Sequence, residues 1–114
     1  MDSAEVSPRR GDVVLVVAPG DYGKPRPAVI VQSDIFNDIH VSVTVCPVTS
    51  TLVEAPLFRI LLRPSKTNGL VANSQVMVDK IQALRRDRIR ERVGAVAPAT
   101  LREVDAALRL WLRL

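Results

Sequence analysis

Lys24-Pro25-Arg26-Pro27-Ala28-Val29-Ile30-Val31-Gln32 decides how this chain is read. Pro25 has its own φ fixed. Pro27 pushes Arg26 out of the helical region and into extended geometry. The apolar run from Ala28 to Gln32 then reads as a strand. Arg26 therefore leaves the backbone from a nearly fixed point. A preordered guanidinium fork loses less entropy on meeting a phosphate than a flexible one does.

Outward from that stretch, the first half is built from short strands. Gly11-Asp12 opens a strand from Val13 to Val17, whose unbroken apolar run predicts burial on both faces. Pro19-Gly20-Asp21-Tyr22-Gly23 is a turn-rich loop. Ser33 to Ile39 reads as a short turn or helical loop with Ser33 as its cap. Val41 to Cys46 is a third strand, and Pro47 is expected to stop it. Met1 to Pro8 reads as a loose tail, which leaves Arg9 to Leu114 as one domain.

The second half adds Leu57 to Leu62, with Arg59 on its outer face, and a turn from Pro64 to Gly69 marked by Asn68-Gly69. Asn73 to Ile81 is a fifth strand. Arg85 to Arg92 is a charged segment, read as a helical turn and a solvated face, and Val93 to Val96 a further short strand. Pro98 begins a helix that runs to about Leu112. Leu101, Val104, Leu108 and Trp111 share its apolar face. Asp105 stands one turn before Arg109, the better order for a helical ion pair. Short strands closed by one amphipathic helix describe a mainly β chain, a small, strongly curved antiparallel barrel.

Composition narrows the class. At 114 residues there is room for one compact domain. Hydrophobic residues at 47% and charged residues at 25% exclude a disordered chain. Aromatics at 4% leave the core to Val, Leu, Ile and Ala. A net charge of +4 fits a polyanionic partner, and fits a solubility charge nearly as well. Cys46 is the one cysteine, so neither an internal disulfide nor a thiolate zinc site forms within one chain. No apolar run reaches the roughly 18 residues of a membrane span, and the first ten residues lack a signal-peptide centre. A cytoplasmic protein is expected.

Several segments, in order, resemble the MazF/PemK toxins. Arg9-Arg10-Gly11-Asp12-Val13-Val14 resembles their opening "RGDV" strand, and Arg26-Pro27-Ala28-Val29-Ile30-Val31 their "RPVVVV" strand. Ser33 to Asn37 resembles the segment that follows. Val45-Cys46-Pro47-Val48-Thr49-Ser50 is similar to their "VPITS" stretch, and Asn73 to Ile81 to their penultimate conserved strand. Leu101 to Leu112 resembles their closing helix.

The resemblance implies an SH3-like barrel, a homodimer and a sequence-selective endoribonuclease silenced by a cognate antitoxin with an acidic C-terminal segment. By position it makes Arg26 and Thr49 the catalytic pair, and it lays Ser33, Ser50, Ser74 and Lys80 along a groove for single-stranded RNA. Tyr22, in the loop before Arg26, is a further candidate by stacking on a splayed base, and Lys24 is a further candidate substrate contact. Relatives carry an acidic residue in the loop before the arginine, and Asp21 is its candidate counterpart here. They often have glutamine where this chain has Lys80.

The chemistry agrees with the transfer. RNA carries its own nucleophile, the 2′-hydroxyl. An arginine fork and a hydroxyl donor suit the charge that gathers on the phosphoryl oxygens. Neither cofactor nor catalytic metal is expected, because no set of carboxylates has ligand spacing. Read from residues alone, Thr49 is a turn cap and Cys46 inert core. His40 is an ordinary loop or strand residue, and Trp111 helix-to-barrel core. The rivals are a CcdB-like gyrase poison on the same fold and an inactive, antitoxin-binding relative.

Overall fold

Alternation along valine-rich strands divides the interior in two. The computed structural model describes residues 7–20 and 23–114. In it β1 (Asp12–Val16) sends Val13 to one face and Val14 and Val16 to the other. β2 (Arg26–Ile30) sends Val29 one way and Ala28 and Ile30 the other. β3 (Ser42–Thr49) does the same with Cys46 and Val48 against Val43 and Val45. Successive residues of a strand point to opposite faces, so these strands are buried on both sides, as the continuous apolar run of β1 predicts.

α1 (Asp34–Asn37) lies between β2 and β3. Then come β4 (Arg59–Leu62), β5 (Ser74–Met77), β6 (Gln82–Arg85), β7 (Ile89–Ala95) and α2 (Pro98–Leu112), with 3-10 turns at Val78–Lys80 and Arg86–Arg88. All strand pairs are antiparallel, in the order β4-β5-β3-β2-β1-β7, with β6 also on β3. The fold is mainly β with a closing helix. Its sheet does not join into a ring, since β4 and β7 end the hydrogen-bonded path.

Pro47 does not stop the third strand, which continues to Thr49. One edge of β3 pairs with β6 up to Val45↔Gln82 and with β5 from Val48↔Val76. Pro47 falls at that changeover, where no ladder donor is required. The segment from Arg85 to Arg92 was expected to be a charged turn. It instead holds the end of β6, a 3-10 turn and most of β7. Ile89 is the one apolar residue within it, and Ile89 and the preceding Leu84 are both buried in the second core. Exposed Arg90, Glu91 and Arg92 lie on the outermost strand, where charge discourages edge-to-edge pairing.

α2 follows its expected bounds. Pro98 occupies the first turn, where its missing N–H costs nothing, and Arg113 ends the helix in the left-handed conformation at φ 58°. Val104 and Ala107 are buried, and Leu101 and Leu108 pack against the first core. Trp111 is half exposed and meets Phe58 with ring centroids 5.3 Å apart, so it is a rim contact rather than core. Asp105 pairs with Arg10, not with Arg109. Arg10 also donates to the Val31 carbonyl (3.1 Å), fastening the turn before β1 to both β2 and α2. Pro8 is buried and the Ser7 hydroxyl donates to Asp38, so the end of the expected tail lies against the domain.

The Asn68-Gly69 turn forms as read. The buried Asn68 amide accepts from Ser65 N and Leu70 N and donates to the Arg63 carbonyl. Gly69 has φ +69°, and a Cβ there would stand 2.2 Å from the Val93 carbonyl oxygen. Among the described residues no helix is long and apolar enough to cross a membrane.

Candidate active site

The second core is open at one end, and the strand period fixes which residues ring the opening. Val16 continues the Val14 face of β1 and Arg26 the Ala28 face of β2. Thr49 continues the Val45 face of β3, and Gln82 the Leu84 face of β6. These four residues line one cavity of about 360 Å³, together with Pro47, Ser50, Thr51 and Ser74. Val16 pairs directly with Arg26, and Gln82 with Val45. The β2–β3 register sets Ala28 against Pro47. Two positions further along, it brings Arg26 level with Thr49.

Arg26 is exposed and, among the described residues, is the one charged residue lining this cavity. The Thr49 Oγ1 accepts a hydrogen bond from Thr51 N (3.0 Å). That occupies a lone pair and leaves the hydroxyl proton available to an acceptor in the cavity. The bond is the turn cap that residue type alone suggests, so cap and cavity hydroxyl coexist in one side chain. The Ser74 hydroxyl donates to the Ala72 carbonyl (2.8 Å), which leaves it only lone pairs to offer. Ser50 is exposed at the rim.

The remaining expected site residues lie elsewhere. Lys24 and Lys80 are exposed and do not line the cavity. Lys80 ends the 3-10 turn that leads into β6. Ser33 caps α1 by accepting from Ile35 N (3.2 Å), as its cap reading predicts, and is not brought to the cavity. Tyr22 and Asp21 fall outside the described residues.

Two glutamines were not anticipated. Gln82 falls between the strand read to Ile81 and the charged segment from Arg85, a stretch to which the sequence reading assigned no element. Its period-two relation to Leu84 was the available signal. Gln75 is buried beside Thr49 in the β3–β5 register. Its amide holds both backbone groups of Val53, and so anchors the loop that carries Ser50 and Thr51.

Several charges away from the cavity are engaged in the fold. Asp79 takes a bidentate pair from Arg59 (2.8 and 3.1 Å), which holds its carboxyl below the usual aspartate range and raises the guanidinium. Arg86 donates to the His40 carbonyl and Arg92 to Asp12, so part of the basic segment is structural. Burial pushes the Cys46 thiol up to about 12, as expected of inert core. Among the described residues no group of three or more His, Cys, Asp or Glu is placed to hold a metal ion.

A family profile described as "PemK-like, MazF-like toxin of type II toxin-antitoxin system" matches residues 9–112. The chain belongs to the PemK/MazF toxin family. The toxin is 42% identical over 105 residues to the probable endoribonuclease MazF of Mycolicibacterium smegmatis, covering 91% of this chain and 95% of that protein. It is 30% identical over 115 residues to the endoribonuclease MazF9 of Mycobacterium tuberculosis, with 93% and 97% covered. Among solved structures it is similar to a mycobacterial endoribonuclease in complex with its cognate antitoxin. That match has a TM-score of 0.80 and 27% identity, over 94% of this chain and 96% of the other. The toxin is an endoribonuclease by family, and the gyrase-poison alternative is set aside.

Proposed function

We propose that this toxin endoribonuclease cuts single-stranded RNA at selected sequences without a metal, using the strand's own 2′-hydroxyl as nucleophile. The observation that carries the reading is the meeting of Arg26 and Thr49 in one cavity on neighbouring strands. The 2′-oxygen attacks phosphorus, the P–O5′ bond breaks, and the products are a 2′,3′-cyclic phosphate and a 5′-hydroxyl. One proton leaves the 2′-oxygen and one reaches the 5′-oxygen. Negative charge builds on the non-bridging oxygens. Arg26 neutralises it with a fork that suits two oxygens, and the Thr49 hydroxyl donates to one of them. Arginine stays protonated in proteins, so Arg26 acts through charge and hydrogen bonding rather than as a base.

Ser50 and Ser74 line the same cavity and contact the RNA there. Ser74 acts as an acceptor, because its proton is committed to Ala72. Lys24 and Lys80, exposed outside the cavity, meet flanking phosphates. Tyr22 adds stacking on a base, whereas Ser33, which the family resemblance assigns to the groove, serves as the cap of α1 away from the cavity. The toxin works in the cytoplasm as a homodimer. A cognate antitoxin with an acidic segment silences it by covering the cavity.

The test is incubation with RNA in excess chelator, with end analysis of the products. Cleavage is expected to persist and to leave cyclic phosphate ends. Arg26→Ala and Thr49→Val should each lower kcat by about 10²–10³, the usual loss when a transition-state donor is removed. An Arg26→Ala protein that cuts at the parent rate overturns the assignment. RNA binding without cutting by the parent protein supports the inactive-relative reading instead.

A further inference from the structure

The toxin has three glutamines, and their amides are used differently. Gln32 donates to Asn37 and the Ser42 carbonyl and accepts from Thr44. Gln75 both donates to and accepts from Val53. Gln82 is exposed on the cavity wall, and among the described residues its amide has no hydrogen-bond partner. Its backbone is fixed in β6 against Val45, so the amide is presented from a rigid strand rather than a loop.

The cavity lining combines two chemistries. Arg26, Thr49 and Ser50 supply charge and hydroxyls, and Val16, Ala18, Leu70 and Met77 supply apolar surface. Charge and hydroxyls suit a phosphate. Apolar walls suit the face of a base. A neutral amide is a poor phosphate ligand beside a guanidinium. It carries one acceptor and a donor in one plane, which matches the edge of an unstacked base.

We infer that Gln82 is a specificity-determining residue that reads the edge of the base next to the scissile phosphate. This rests on the nuclease reading above and names which contact selects the cut. Arg26 recognises the phosphate that every sequence shares, and Gln82 supplies discrimination that the phosphate cannot. An amide-to-base bidentate contact is worth roughly tenfold or more in discrimination.

The experiment is cleavage of a randomised RNA pool by the parent toxin, Gln82→Leu and Gln82→Glu, with sequencing of the 5′-hydroxyl ends. Melting curves establish that each variant is folded. The expected result is that Gln82→Leu flattens the base preference at one position beside the cut by about tenfold or more, with the other positions retained. Gln82→Glu keeps the shape but offers only acceptors, so it should move the preference at that same position toward bases with an exocyclic amino group. Unchanged base profiles in both variants, with only a uniform change in rate, overturn the inference and leave the nuclease reading standing. A parent toxin that leaves the whole pool uncut refutes the nuclease reading, and this inference with it.

Discussion

Gln75 and Val53 pair as two strands would, although one partner is a side chain. The Gln75 amide donates to the Val53 carbonyl (2.9 Å), and Val53 N donates to the Gln75 Oε1 (3.1 Å). The loop after β3 is thereby fixed at its far end, while Thr49 fixes its near end through Thr51 N. Gln75→Leu removes both bonds and leaves Val53 unpaired, so Thr49 and Ser50 lose their placement. The expected outcome is a fall in kcat of tenfold or more with a smaller change in RNA affinity, since small misplacements weigh heavily on positioned groups. Single-turnover kinetics beside equilibrium binding checks this. Gln75→Glu, which keeps only the acceptor, should fall between. Equal losses in kcat and affinity would make Gln75 a general stability residue.

Arg59 and Asp79 tie β4 to the turn after β5, and both side chains are largely shielded. The pairing lowers the Asp79 pKa in the folded state, with the Arg59 hydrogen bonds as the leading cause. A depressed carboxylate stabilises the fold fully above its unfolded pKa of about 3.9. The contribution is lost as pH falls through the lower folded value. Asp79→Asn should therefore cost about 1–3 kcal/mol at pH 7. The gap between variant and parent should narrow below about pH 4. Thermal melts of both proteins across that range measure it. A gap independent of pH would mean the loss is steric.

Cys46 is fully buried, and its thiol is pushed up to about 12, first by burial and then by the nearby Asp79 charge. At pH 8 the thiolate fraction is on the order of 10⁻⁴, far below that of an ordinary cysteine. The native toxin should leave an aromatic disulfide reagent almost untouched at that pH and react fully once unfolded. Rapid labelling of the native protein would show that the core opens readily at this strand.

Much of this was legible before any coordinates. The helix from Pro98 to Leu112 was readable because a proline start and a 3.6-residue apolar stripe signal in the same register. The double-proline frame placed Arg26 correctly at the mouth of a strand. Thr49 joined it only through the family resemblance, since a threonine after a proline otherwise reads as a turn cap. β6 was missed, and β7 was read only at its Val93 end, because period-two burial in the stretch before it rests on Leu84 and Ile89, among arginines that mark an outer edge. Gln82 and Gln75 were passed over for a related reason. A glutamine has no local signature. Its task is set by what lies across the ladder, which becomes known only when the strands are paired.

Strand β3 touches three other strands, and Thr49 stands at its end. The cavity needs Val16 from near the start of the chain and Gln82 from its last third at once. No contiguous fragment short of that span encloses it. The enclosure is consequently a product of the finished tertiary architecture, assembled from distant parts of the chain rather than carried by any local segment.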